Sequence, residues 1–205
     1  MKVQRGSLLS GAEQAQGLPI IIDVLRAFTT SAVLFSLGIE NLILVSTAEE
    51  SFALRDQYGC WLAGEDRGIK IEGFDSGNSP TELLRLPPDT LRGKTVVLRS
   101  SAGTQGVVAA LKNVNRVILG SYVMAKSIAT YIRQQNPDLV TIIGMGQRLL
   151  ETAPEDEACA DYLEHLLTAK SYDYFTAVWT CMNAPLIRGW LHNESEDIPP
   201  EDVLL

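Results

Sequence analysis

Four short stretches hold side chains able to bind a metal, bind an anion or move a proton. "DVLRAFTTS", residues 23–31, places Asp23 and Arg26 directly after the apolar run Leu18–Ile22 and follows them with Thr29, Thr30 and Ser31. An isolated charge at the end of a buried strand is costly. An aspartate there can hold a hard, oxygen-seeking cation such as Mg²⁺, and the N–H groups of a helix start beside hydroxyls favour an anion. A structural reading stands beside this one: Asp23 pairs with Arg26 and the threonines cap a helix. "RSSAGTQG", residues 99–106, is small, hydroxyl-bearing and glycine-containing. It reads as a phosphate-cradling loop formed by Ser100, Ser101, Gly103 and Thr104 with Arg99 at its mouth, or as an ordinary β–α turn. In "GEDRGIKIEGFDSGNSP", residues 64–80, Glu65, Arg67, Lys70, Glu72 and Asp75 alternate in sign. So long a connection is either a functional loop or a solvated surface. "PEDEAC", residues 154–159, suits the first turn of a helix, where Pro154, Glu155 and Asp156 are each favourable. The same acids can serve as metal ligands or acid–base groups. Cys159 sits among acids that oppose a thiolate, which favours a packing role over a nucleophilic one. One theme recurs, acids and anion-binding donors after successive strands, and a divalent metal with an anionic substrate requires both.

Several familiar chemistries are absent. No G-x-x-x-x-G-K-[ST] loop occurs, and "GMGQRL" (144–149) lacks the third glycine of a dinucleotide fingerprint. No cysteine precedes an arginine by six places, and Leu25 stands where an Asp-x-Asp phosphoryl acceptor needs its second acid. The two histidines, His165 and His192, have no metal-ligand spacing, which argues against a zinc enzyme.

These residues need a scaffold that brings strand ends together. β-Branched apolar runs at Leu18–Ile22, Leu42–Val45, Cys60–Ala63, Thr95–Leu98, Val117–Leu119 and Leu139–Ile143 alternate with helical spacing at Phe28–Leu37, Ala48–Asp56, Thr104–Leu111, Met124–Gln135 and Glu155–Ala169. The alternation predicts an α/β fold, layered α/β/α with a largely parallel sheet, and a site in a cleft at the strands' C-terminal ends. "SPTE" (79–82) predicts a capped helix start, with Ser79 as N-cap, Pro80 at the first position and Glu82 completing a capping box. The reading is of one domain over residues 1–205, with room for two lobes, and an acidic, loosely docked tail, "NESEDIPPEDVLL", from about 193.

With 205 residues, 46% hydrophobic content and a net charge of −8, the chain exerts no general pull on nucleic acid or an anionic membrane. Any anionic ligand must be held by a local group of donors. Three widely spaced cysteines without a C-x-x-C pair read as reduced thiols. With neither an apolar leader nor a run of roughly 18 apolar residues, the expectation is a cytoplasmic protein. The sequence leaves the oligomeric state open, a homo-oligomer included.

"IIIDVLRAFTT" (20–30), "GEDRGIKIEGFDSGNSPTE" (64–82), "GKTVVLRSSAGTQG" (93–106), "ILGSYVMA" (118–125) and "EDEACA" (155–160) resemble, in this order, the 2-phosphosulfolactate phosphatase family. The resemblance runs from about residue 20 to about 165. It implies an α/β fold of its own kind and Mg²⁺-dependent hydrolysis of 2-phospho-3-sulfolactate to 3-sulfolactate and phosphate, a step of coenzyme M biosynthesis in methanogens. The family's motif positions fall on Asp23, Arg26, Thr29 and Thr30; on Glu65, Arg67, Gly68, Asn78 and Ser79; on Gly103 and Thr104; and on Glu155, Asp156 and Cys159. On this reading Asp23, with one or more of Glu65, Glu155 and Asp156, holds Mg²⁺. Arg26, Arg67 and Arg99 hold the substrate's anionic oxygens, and loop 100–104 and Thr29 add neutral donors. The chain departs from the family at Ala102, where an asparagine is usual, at "GMG" (144–146) in place of Cys-Ala-Gly, and at Asp161 in place of glycine. These changes point to two alternatives: a phosphatase for another small phosphorylated acid, or a non-catalytic anion-binding homologue.

Overall fold

A computed structural model of the chain describes residues 1–195 and 197–205. The elements in order are β1 (Lys2–Ser7), α1 (Leu8–Glu13), β2 (Leu18–Ile22), α2 (Ala27–Ser36), β3 (Asn41–Val45), α3 (Ala48–Tyr58), β4 (Trp61–Asp66), β5 (Ile69–Lys70), α4 (Pro80–Leu84), β6 (Thr95–Arg99), α5 (Gly103–Ala110), β7 (Ile118–Gly120), α6 (Ala125–Gln135), β8 (Leu139–Gly144), α7 (Pro154–Thr168), α8 (Tyr174–Asn183) and α9 (Pro185–Leu191). A 3₁₀ turn covers Pro200–Leu204. No helix among the described residues is long and apolar enough to cross a membrane.

The expected α/β alternation is present, and its parallel strands divide between two four-stranded sheets. The first has the order β1-β8-β2-β7, all parallel. The second has the order β3-β6-β4-β5, parallel except for β5, which returns antiparallel along β4. Strand runs announce burial but not which strand pairs with which, so the division is a tertiary fact.

Every residue of β2 is buried, as expected of a parallel strand covered on both faces. Ile20 and Ile22 pack with Ile128 and Ile132 of α6 and Leu163 of α7. Ile21 packs on the other side with Ala12 of α1, Phe28 of α2 and Val107 of α5. The second sheet is covered in the same way. Ala63, Val96 and Leu98 face Leu34 of α2 and Leu83 of α4, whereas Leu62 and Val97 meet Phe74 and Phe52 of α3.

Helices α2 and α5 therefore fill the layer between the sheets. α2 starts at the end of β2 in the first sheet and packs on the second; α5 starts at the end of β6 in the second and packs on the first. This exchange sets the C-terminal ends of β2, β4 and β6 against one another.

The C-terminal segment differs from its expectation. Its low apolar content and two prolines read as a loose tail, yet Asp202 is 1% exposed and Ile198 is buried. Specific polar bonds, which composition does not register, hold it in place.

Candidate active site

Asp23 ends β2 and ties two helix starts together. Its Oδ1 accepts from the Ala27 N–H at 3.1 Å and its Oδ2 from the Gly103 N–H at 2.8 Å. The approach to α5 is so close that a Cβ at Gly103 would lie 2.6 Å from Asp23 Oδ2, so this position requires glycine. Asp156, in the first turn of α7, accepts from the Val24 N–H with Oδ1 and from the Gly146 N–H with Oδ2, both at 2.8 Å. Glu65, on β4, accepts from the Ser101 N–H at 2.6 Å, the Gly68 N–H at 2.6 Å and the Ser101 hydroxyl at 3.0 Å. Backbone amides thus fix three carboxylates from two sheets in orientation.

These three acids and Glu155 line one cavity of about 200 Å³. Burial is the main influence on its acids. It raises Asp23 to about 6 against the opposing Ala27 N–H, and Glu65 adds repulsion. It raises Glu155 to about 7, with a further contribution from Asp23. Asp156 is pushed well above the ordinary carboxyl range by burial, then by Asp23, then by Glu155. Each acid opposes the ionisation of another, and a cation among them relieves all of them.

Among the described residues, no three His, Cys, Asp or Glu side chains form a ready-made metal cage. Mg²⁺ needs none, because one or two carboxylates with waters and phosphate oxygens commonly complete its shell. The donors here are all carboxylate oxygens, and the charge of Asp23 opposes the ionisation of Asp156, so the set fits a hard divalent cation.

The other sequence-derived candidates divide sharply. Arg67, Asn78 and Ser101 line the cavity, and Asn78 Oδ1 is buried with no partner among the described residues. Arg26 reaches it too, but its Nη1 donates to Asp202 Oδ2 at 3.2 Å and to the Asp197 carbonyl at 2.9 Å, and its Nη2 to the Gly68 carbonyl at 3.2 Å. It is a strut between segments, with most of its donors engaged.

Thr29, Thr30, Ser79, Arg99, Ser100, Thr104 and Cys159 stay off the cavity. The hydroxyls of Thr29 and Thr30 donate to the carbonyls of Val24 and Asn78. Ser79 caps α4 by accepting from the Glu82 N–H, which is one half of the expected box, and donates to Asp202. Arg99 turns back to the Glu65 carbonyl and Asp66. Ser100 and Thr104 close their own turn through reciprocal side-chain–backbone bonds at 3.0 and 2.9 Å. Gly103 has its N–H on Asp23. Cys159 is fully buried in the core beside Ile20 and Leu163. Burial, and after it Asp156, pushes its thiol up and away from a thiolate, as a packing residue requires.

The sequence profile of the 2-phosphosulpholactate phosphatase family matches residues 7–196. The chain belongs to the 2-phosphosulpholactate phosphatase family. A protein of Carboxydothermus hydrogenoformans named probable 2-phosphosulfolactate phosphatase is 38% identical over 149 residues, 72% of this chain and 59% of the relative. Similarly named proteins of Bacillus subtilis and Caldicellulosiruptor saccharolyticus are 31% and 35% identical over 72% and 76% of this chain, and 63% and 64% of their own lengths. The chain thus matches less than two thirds of the length of these relatives.

This 2-phosphosulpholactate phosphatase family member also places residues on the cavity that the sequence did not single out. Arg148 lies just beyond β8 and lines it, as do Leu186, Trp190 and Ile198 of the C-terminal segment. The strand-end rule that found Asp23 would have found Arg148, whereas no local signal marks the C-terminal wall.

Proposed function

We propose that the chain is a Mg²⁺-dependent phosphoric monoester hydrolase acting on 2-phospho-3-sulfolactate. The observation that carries this reading is the convergence of Asp23, Glu65, Glu155 and Asp156 on one small cavity, where their buried ionisations oppose one another. The curated relatives carry the corresponding name.

In this mechanism Asp23 and Asp156 would hold the metal, each being kept in orientation by two backbone N–H groups. A bound Mg²⁺ supplies charge neutralisation at the phosphoryl oxygens. Glu65 fixes the turn at Ser101 against β4, which sets the floor of the phosphate site. Glu155, raised to about 7, can hold or release a proton near neutrality, and it delivers one to the leaving-group oxygen as the ester P–O bond breaks and a water oxygen bonds to phosphorus, giving the alcohol and phosphate. Asn78 and Ser101 add neutral polar contacts.

A second reading, an ester of a different small hydroxy acid, is favoured by Ala102, which presents a methyl group to the cavity where the family usually has an amide.

The test is phosphate release from a panel of phosphorylated hydroxy acids with Mg²⁺ and with EDTA. Mg²⁺-dependent turnover of 2-phospho-3-sulfolactate is expected. Turnover of another ester alone selects the second reading, and release that persists in EDTA rejects the metal assignment. In Asp23→Asn, Mg²⁺-dependent turnover should fall by at least about 100-fold, the scale of a lost electrostatic group in a buried site.

A further inference from the structure

Three arginines reach the cavity, and they are not equivalent. Arg26 is neutralised by Asp202, both side chains being nearly inaccessible. Among the described residues, neither Arg67 nor Arg148 has a carboxylate within ion-pair distance. They come from different sheets, Arg67 from the turn after β4 and Arg148 from the turn after β8, and Arg148 Nη2 meets the Arg67 carbonyl at 3.4 Å. Both turns are anchored to the acids' own scaffold. The Arg67 N–H donates to Ser101 Oγ at 2.8 Å, and the Gly146 N–H to Asp156. Arg148 and Leu149 both adopt positive φ, 52° and 65°, a conformation that non-glycine residues hold only where the surroundings impose it.

Arg67 and Arg148 are both exposed residues that line the cavity, so an anion entering it meets two positive charges that have no carboxylate partner among the described residues. The four carboxylates would hold a divalent cation and through its charge the phosphoryl group, which leaves the two arginines on the same cavity for another anionic group. Planar guanidinium groups match the paired oxygens of a carboxylate or sulfonate.

We propose that Arg148, acting with Arg67, determines specificity by binding a second anionic group, a carboxylate or sulfonate, on the same small molecule that carries the phosphate ester. The proposal rests on the phosphatase reading of the cavity and adds a residue to it. Arg148 touches the substrate's distal end, and its effect is selective among esters.

The experiment compares the full chain with Arg148→Gln and Arg148→Lys. Phosphate release is measured from 2-phospho-3-sulfolactate and from isopropyl phosphate, which lacks a second anion. Binding of 3-sulfolactate, which lacks the phosphate, is measured by calorimetry. The expected result is a fall of at least tenfold in the kcat/KM ratio of the first ester to the second in Arg148→Gln. The 3-sulfolactate Kd should rise to match, and Arg148→Lys should be intermediate. A ratio and a Kd both within twofold of wild type overturn the proposal. If wild type hydrolyses neither ester, the phosphatase reading fails and the 3-sulfolactate titration alone decides Arg148. Absence of 3-sulfolactate binding to wild type overturns the proposal as well.

Discussion

Glu155 and Asp23 carry different proton requirements, and these should appear separately in a pH profile. Asp23 is raised to about 6 and must be ionised to hold a cation. Glu155 is raised to about 7 and must be protonated to serve a leaving group. Activity at fixed Mg²⁺ should therefore rise as Asp23 and Asp156 lose their protons and fall as Glu155 loses its own, a bell-shaped profile. Raising Mg²⁺ pulls Asp23 toward its ionised form, so the acid limb should move to lower pH. Glu155→Gln should lose the alkaline limb and about 100-fold or more in kcat, the usual scale for a lost general acid. A variant that keeps both limbs would remove Glu155 from proton transfer. Asp23 stands out in sequence because a charge directly after a buried apolar run is costly, whereas Glu155 and Asp156 read equally well as the first turn of a helix, and only their burial on the cavity separates the two readings. Thr29, Thr30, Ser100 and Thr104 look identical in sequence whether they face a ligand or a backbone carbonyl, and here the carbonyl and the turn have them.

Among the elements, the strands and the helices that follow them were readable because periodicity reports burial directly. The apolar run Leu18–Ile22 is β2 from end to end, and the helix expected at Glu155–Ala169 is Pro154–Thr168. β1, with the partly exposed pattern of "KVQRGS", has no such signal. The C-terminal wall was invisible because it is held by a few polar bonds rather than by an apolar stripe. Asp202 accepts from Arg26, from the Ser79 hydroxyl at 2.8 Å and from the Thr81 N–H at 3.0 Å, joining the loop after β2, the start of α4 and the chain's last turn. Its neighbour Glu201 pairs with Arg85 in a bridge that is more than half exposed on both sides. The two acids should respond very differently to truncation. Asp202→Ala leaves the Arg26 charge buried without its carboxylate and should cost about 3–5 kcal/mol in urea unfolding. Glu201→Ala should cost no more than about 1 kcal/mol. Equal effects would mean that the segment is held by its apolar contacts, Ile198 chief among them.

For the whole molecule, the helix exchange between the sheets has an electrostatic consequence. Because α2 and α5 each start on one sheet and pack on the other, the strand ends meet, and acids that would be solvated at the rim of an open sheet are buried together. Burial raises Asp23 from 3.8 to about 6, Glu155 from 4.5 to about 7, and Asp156 well above 3.8. The folded chain then keeps protons that the unfolded chain has released, so stability falls as pH rises from about 4 through about 7. A cation that binds only the folded, ionised site reverses this loss. At a hundredfold its Kd it contributes about 2.7 kcal/mol, or roughly 5–11 °C in Tm for a chain of this size. Thermal unfolding at pH 5 and pH 8 should show a lower Tm at pH 8 without Mg²⁺. Mg²⁺ should then raise Tm by several degrees at pH 8 and little at pH 5. General repulsion from the net charge of −8 changes in the same direction with pH, so the comparison requires KCl at equal ionic strength, which screens that repulsion but cannot coordinate the acids. Asp23→Asn should abolish the specific increment. A Mg²⁺ response equal at the two pH values, or one that survives in Asp23→Asn, would place the cation elsewhere and leave the buried acids as a purely structural cluster.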